Sequence, residues 1–414
     1  MPIAAVAYDK GQLRELLPVY YNRFFPYDMF YKWLSYENLD KQYFPNREFS
    51  ISTLDGGFFR FLSYKDQEEF MKDIKERVPS RIEIGAVFNW RPKERFMVSS
   101  IVAQEKELVF DIDVSDYDDV RNCCNEKSIC DKCFRLMTLA VKIIDVALRE
   151  DFGFKHLLWV FSGRRGIHCW VCDKEARSLN TAARSAVAEY LTIVRGGENM
   201  QKKVQLPPRL HHHVKRSVEI IRKSFKEVCV IDQDILGTEN RMKQMLELIP
   251  EKAMRDDVAQ VMSRQTTSQA RWQCFEEIFK DYQGKKKMRQ FSAHLVEEIM
   301  LLYAYPRLDV NVTKGLNHLL KAPLCIHPDT GNICVPIDVD HIDKFSLDSV
   351  PTIAEVITQL DQAKGEESSA PKGQKDYMYT SLQPAMEIFN KFIKNLHASA
   401  KGKRIALSDE KMTF

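Results

Sequence analysis

In the run Glu105-Lys106-Glu107-Leu108-Val109-Phe110-Asp111-Ile112-Asp113, the last two acids, Asp111 and Asp113, stand two residues apart on an apolar stretch. In a strand, alternate side chains share a face. Leu108, Phe110 and Ile112 then turn one way, and Val109, Asp111 and Asp113 the other. The two carboxylates become neighbours roughly 7 Å apart along the backbone. At an effective dielectric of about 20, like charges roughly 5 Å apart repel by about 3 kcal/mol, a large share of a domain's stability. A cation between them relieves that repulsion, and hard divalent ions such as magnesium or manganese prefer such oxygen ligands. A strand end with both acids in water satisfies the same pattern.

A chain of 414 residues has room for two or three domains and a sizeable core. Its net charge is only +3, which argues against a strong overall grip on nucleic acid, so any such contact is local. Met1-Pro2-Ile3-Ala4-Ala5-Val6 lacks a basic segment leading into a long apolar one, and no run approaches bilayer length. A cytosolic or nuclear protein without membrane contact is expected. Ten cysteines in such a chain point to reduced thiols or metal ligands rather than a disulfide framework.

Apolar groups recur at helical spacing over residues 11 to 36, interrupted by Pro26, which predicts two aromatic-rich helices. Residues 48 to 64 read as a hairpin about Gly56-Gly57. Strands are predicted at 81–88, 105–113, 157–161 and 167–172, with an amphipathic helix at 134–149. The expected class is mixed α/β. Residues 191–290 are charged and poor in strand signals, and read as a helical subdomain between two parts of a discontinuous core, 1–190 and 291–360. Strand-like chain returns at Arg307 to Val312 and Ile333 to Ile337. A flexible linker is expected at 361–375 and a helix with a tail at 376–414.

Cys123, Cys124, Cys130 and Cys133 fall within one short segment, 123–133. The two-residue gap of the second pair lets one turn present both sulfurs to a zinc ion, and four thiolates close a tetrahedral structural site. The adjacent first pair requires a bend between its members, and a group of free thiols remains the alternative. Cys169 and Cys172 have the spacing of a redox pair or a second metal site, but their apolar strand setting favours plain packing. His211-His212-His213 is a weak metal candidate because consecutive positions do not share a helix face. Lys285-Lys286-Lys287 reads as a solvated run that could touch phosphate.

Ser162-Gly163-Arg164-Arg165-Gly166-Ile167-His168 lies between two strand-like segments. Guanidinium forks suit phosphate oxygens, and flanking glycines let backbone come close; a surface loop with solvated arginines is the plainer account. Asp309, facing away from Leu308 and Val310 in the predicted strand, supplies a third acid. His318, Lys321 and His327 follow it. Asp151-Phe152-Gly153 copies a kinase tripeptide, but the loops that accompany it in kinases are absent, so it reads as a helix end.

Together the Asp-x-Asp strand, the cysteine segment, the Ser-Gly-Arg-Arg-Gly-x-His loop and the Leu308-Asp309-Val310 segment resemble the catalytic small subunit of eukaryotic-type replicative DNA primases. The resemblance covers about residues 12–190 and 300–340. It extends to Tyr20-Tyr21-Asn22-Arg23, Arg47-Glu48-Phe49-Ser50 and Ile84-Gly85-Ala86-Val87, with no departure at the family's metal or nucleotide positions. It implies the archaeo-eukaryotic primase fold: a mixed α/β core with RRM-like strands, a zinc-binding motif and a helical subdomain. It implies synthesis of short RNA primers from ribonucleoside triphosphates on single-stranded DNA, with an RNA/DNA duplex as product, in the nucleus. Asp111, Asp113 and Asp309 would be the catalytic acids binding Mg2+ or Mn2+, with Glu48 bordering them. Arg60, Ser162, Gly163, Arg164, Arg165, Gly166, His168, His318, Lys321 and His327 would hold the incoming nucleotide. The partners implied are a large iron-sulfur primase subunit and the DNA polymerase alpha complex.

In-line nucleotidyl transfer agrees with this set of residues. Carboxylates bridge two metals, and cationic groups neutralise the triphosphate. A metal-dependent nuclease would use the same acids without a triphosphate pocket. A non-catalytic zinc-containing nucleic-acid binder would have no use for the acidic face.

Overall fold

The computed structural model describes residues 8–36, 41–194, 203–284, 293–366 and 374–412. The lysines at 285–287 lie outside them. Helices α1 (Leu13–Arg23) and α2 (Tyr27–Ser35) flank Pro26, which cannot continue the first helix. Strands β1 (Arg47–Ser52) and β2 (Phe58–Leu62) form the expected hairpin, with Gly56 at φ +84° in its turn. After α3 (Gln67–Arg77) come β3 (Arg81–Phe88), β4 (Ala103–Glu105) and β5 (Leu108–Asp113). The cysteine segment leads into α4 (Asp131–Glu150), then β6 (Leu157–Phe161), β7 (Gly166–Val171), α5 (Lys174–Arg177) and α6 (Thr181–Tyr190). Helix α7 (His212–Phe225) runs into a π-helical stretch (Lys226–Asp232), followed by α8 (Glu239–Leu246), α9 (Lys252–Met262), α10 (Ser268–Gly284) and α11 (Leu295–Ala304). The chain closes with α12 (Val310–Lys314), β8 (Leu320–Lys321), β9 (Pro336–Ile337), α13 (Ile353–Glu366) and α14 (Gln383–Met412). The class is mixed α/β.

Contacts divide the chain into two compact units. The first comprises residues 1–111, 154–185 and 310–414. One sheet runs in the order β2-β1-β3-β4, with β8 also on β3; the other runs β5-β7-β6-β9. Its aromatic core follows from the α2 pattern: Trp33 packs edge-on against Trp170 at 5.4 Å and Phe389 at 5.7 Å. Beneath the sheets Arg47 donates to both Glu107 oxygens at 2.8 and 2.9 Å, with neither side chain exposed. Burial alone would raise the Glu107 carboxyl, yet Arg47 holds it down to about 2. Next to it the buried Lys106 Nζ donates to the Gly315 carbonyl at 3.2 Å, and burial lowers its ammonium to about 7.

The second unit comprises residues 112–153 and 186–309 and, past the end of β5, carries helices as its regular structure among the described residues. Helix α4 buries its apolar face as the sequence predicts, Leu136, Met137, Ala140, Val141, Ile144 and Leu148 being inaccessible. Asp151 ends α4, and Gly153 follows at φ +72°. The histidine triplet is dispersed. His211 caps α7, His212 reaches Asp151 at 3.1 Å, and buried His213 meets the Tyr305 hydroxyl at 2.8 Å.

Two expectations change. The segment Arg307 to Val312 is not a strand: helix α12 starts at Val310 and buries the consecutive residues Val312 and Thr313, which alternation would separate. Asp309 is the exposed residue just ahead of that helix. The linker expected at 361–375 begins as the last part of α13, residues 367–373 lie outside the described set, and the final helix fills Gln383–Met412, most of the segment expected as helix and tail.

Candidate active site and cysteine cluster

In the first unit β5 delivers Asp111. Leu108, Val109, Phe110 and Ile112 are fully buried, while Asp111 and Asp113 are half-buried; the acid face is covered at Val109 and opens only toward the end of the strand. The neighbouring β7 places His168 Nε2 3.5 Å from Asp111 Oδ1.

The turn before β7 is closed on itself. Ser162 N–H donates to the Gly166 carbonyl at 2.9 Å, and Gly166 N–H returns to Ser162 Oγ at 3.0 Å. Gly163 sits at φ +88°, and a Cβ there would lie 2.8 Å from His327 Cβ, so only glycine fits. Its carbonyl accepts from Thr330 Oγ1 at 2.7 Å and Asn332 Nδ2 at 3.0 Å. Lys321 Nζ donates to the Ser162 carbonyl at 3.1 Å. Arg164 pairs with Asp329 at 2.9 Å, a carboxylate that also takes Lys10 at 2.6 Å. Arg165 is half-buried in the same turn. Burial, reinforced by Lys321 and Arg164, pushes the His327 imidazole down to about 4, so it is neutral near pH 7. Ser162, Gly163, Arg164, Gly166, Lys321 and His327, predicted from distant stretches, thus converge.

Glu48, Arg60 and His318 occupy a neighbouring part of the same unit. Glu48 is buried and accepts from Arg60 Nε at 3.0 Å and from Phe61 N–H at 3.3 Å. Arg60 also donates to the Asn317 carbonyl at 3.3 Å. Gly85 leaves room for this, since a Cβ on it would approach Glu48 Oε2 to 3.0 Å. Arg60, Asn317 and His318 line a cleft of about 860 Å³, along with Phe61, Thr181 and Asn311.

Asp113 and Asp309 belong to the second unit. Asp113 Oδ1 accepts from Ser115 N–H at 2.8 Å and Ser115 Oγ at 2.7 Å, capping the short 3-10 helix Val114–Tyr117. Two residues before Asp309, Arg307 N–H donates to the Tyr117 hydroxyl at 3.2 Å. Its guanidinium donates to the Asp116 carbonyl at 3.0 Å and pairs with Asp119. The clasp ties the segment carrying Asp309 to the turn that follows Asp113. Nothing in the spacing of Arg307 announced it; nor did any motif announce the bracing by Thr330 and Asn332.

The four cysteines gather as the spacing predicts. Their sulfurs all lie within 4.8 Å of one another, and Cys130 and Cys133 are 3.9 Å apart. Zinc–sulfur bonds of about 2.3 Å at tetrahedral angles set sulfurs roughly 3.8 Å apart, so the group fits a metal ion. The Cys123 thiol hydrogen-bonds Cys133, which with the Cys130 N–H and Arg121 holds the Cys133 thiol down to about 5. Burial and the adjacent sulfurs push Cys124 up to about 11. Four crowded sulfurs resist ionising together, and a cation removes that resistance. Arg121, with its side chain inaccessible, fastens the loop. It pairs with Asp118 and donates to the Ser128 carbonyl at 2.7 Å, the Glu126 carbonyl at 3.3 Å and Cys133 Sγ at 3.7 Å. Gln233 Nε2 donates to Cys123 Sγ at 3.4 Å. Cys169 and Cys172 are buried elsewhere, Cys172 beneath the Trp33 indole N–H at 3.3 Å.

Residues 110–339 match the family model for the DNA primase small subunit. The DNA primase small subunit of Drosophila melanogaster is 40% identical over 416 residues, covering 96% of this chain and 94% of that protein. The Schizosaccharomyces pombe small subunit is 34% identical, covering 94% and 91%. That of Saccharomyces cerevisiae is also 34% identical, covering 91% and 90%. The chain belongs to the DNA primase small-subunit family.

Proposed function

We propose that this chain is the catalytic subunit of a primase, which joins ribonucleoside triphosphates into short RNA primers along single-stranded DNA. It is a DNA primase, a nucleotidyltransferase of replication that uses nucleic acid and nucleoside triphosphates within a primase complex. The observation that carries the reading is the convergence of the Ser162–Gly166 turn, Lys321 and His327, in the same unit as Asp111 and His168. Asp111, Asp113 and Asp309 are the residues that would hold magnesium or manganese. Such ions, when bound, activate the attacking 3′ hydroxyl and offset charge on the leaving pyrophosphate.

The chain's own groups do the rest. Arg164, Arg165 and Lys321 supply positive charge where the triphosphate gathers negative charge, and the closed turn fixes them before substrate arrives. Gly163 lets the turn close against His327, Gly166 would let phosphate oxygens approach the backbone, and Ser162 closes the turn. His327, being neutral, contributes a hydrogen bond rather than a charge. His168 steadies the Asp111 carboxylate. Glu48 aims Arg60, which with His318 borders the sugar and base of the nucleotide. Four cysteine sulfurs would hold zinc as scaffolding at the start of α4. A large iron-sulfur subunit and the DNA polymerase alpha complex are the expected partners, in the nucleus.

Labelled-nucleotide incorporation on a primer-free single-stranded template tests this. Wild-type protein should build primers, and Asp111→Ala and Asp309→Ala should both fail while still binding template. Shortening of the template would mean a nuclease instead, and full activity in either variant would overturn the assigned roles.

A further inference from the structure

A strand sends consecutive side chains to opposite faces, yet Arg60 and Phe61 both line the cleft. A bulge in β2 accounts for it. Phe49 pairs with Leu62 and Ile51 with Phe59, so a two-residue step on β1 faces a three-residue step on β2. Phe61 absorbs the extra residue at φ +60°, a conformation that a bulky side chain rarely adopts. Bulges held against such strain re-aim side chains and cluster near functional surfaces.

What the bulge re-aims is the base of a stack. The Arg95 guanidinium lies 4.4 Å from the Phe61 ring centroid and 4.1 Å from that of Phe96. The outer ring, Phe96, is 84% exposed, and Met97 beside it is 79% exposed. Arg95 and Phe96 lie on the 3-10 helix Pro92–Met97, and Arg95 forms no ion pair among the described residues. Ring, flat cation and ring open to water leave one more planar layer to add. Phe96 and Met97 put adjacent apolar surface into water beside a guanidinium that no carboxylate among the described residues engages. A nucleobase is the planar ligand that also brings a phosphate for an uncommitted guanidinium, the combination by which single strands are held.

We infer that Phe96 and Arg95 form a stacking platform for the unpaired template strand, one base lying on Phe96, with the strand leading toward the cleft at Arg60. The inference rests on the primase reading, since it names where that reading's template is gripped. Duplex DNA is disfavoured because its bases are already stacked.

The test uses the full chain and oligodeoxynucleotides carrying 2-aminopurine. Phe96→Ala and Arg95→Ala should raise the template KM by at least about fivefold, the low end of a lost base stack. The nucleotide KM should move by less than about twofold, and aminopurine quenching should disappear. Phe96→Tyr should restore template KM and quenching together. Primer synthesis with an unmoved template KM in both alanine variants overturns the platform and leaves the primase reading intact. A wild-type chain that makes no primers, but loses the oligonucleotide on Phe96→Ala, sinks the primase reading and keeps the platform. A defect that appears only when another subunit is added would make the surface a protein-docking face and overturn the inference.

Discussion

The cysteine segment and the carboxylate–arginine site are two ways of bringing reactive groups together. The first draws four sulfurs within 4.8 Å of one another from residues 123–133 alone. The second collects Asp111, the Ser162–Gly166 turn, Lys321 and His327 from parts of the chain far apart in sequence. Closing a short loop costs little entropy, so ligand chemistry alone can hold it. A site drawn from distant segments needs a scaffold, here two sheets and buried pairs such as Arg47 with Glu107. Damage to the first should therefore register in stability and metal content, and damage to the second in turnover.

The sharpest separation comes from Asp111→Ala. Primer synthesis should fall by roughly 1,000-fold or more, with the melting temperature almost unchanged; a large loss of stability would break the distinction. Cys130→Ser should do the reverse, weakening metal binding by the cluster and costing on the order of 4 kcal/mol of stability, read by metal analysis and chemical denaturation. Arg121→Ala probes what fastens the loop from outside the ligand set. Metal affinity should drop by about 10- to 100-fold in a chelator competition, and unchanged affinity would show that the sulfurs hold unaided. Arg165→Ala should raise the nucleotide KM by roughly tenfold, about 1.4 kcal/mol of a charge-assisted contact.

The most gradual effect, spread over a pH range rather than switched by one substitution, is a pH dependence of the helical unit. Burial holds the His213 imidazole down to about 4, outweighing the pull of Asp151, which Arg216 already engages. The unfolded chain, titrating near 6.5, takes up the proton first as pH falls. Stability should be flat above about pH 6.5 and decline by roughly 1 kcal/mol per pH unit down to about pH 4. His213→Gln should flatten that slope in denaturation measured at several pH values.

What the chain announced follows the same division. Strand alternation at 108–113, the hairpin about Gly56 and the paired cysteines are local patterns, and local geometry honours them. Val310 and Val312 misled for the same reason: β-branched residues at alternate positions favour a strand, but packing that buries Val312 and Thr313 together selects a helical turn. The Arg307 clasp and the Thr330 and Asn332 braces depend on contacts across long sequence separations, which no spacing encodes. The alternation of Asp111 and Asp113 could be read from the sequence; the groups that position their neighbours could not.

The absent methyl at Gly163 has one more implication. With His327 filling the space a Cβ would need, turn and imidazole cannot be displaced independently, and they behave as one jaw. On the proposed reading, a triphosphate meeting a jaw already set would freeze few rotors on arrival, so discrimination among nucleotides would fall to groups outside it, toward the sugar and the base.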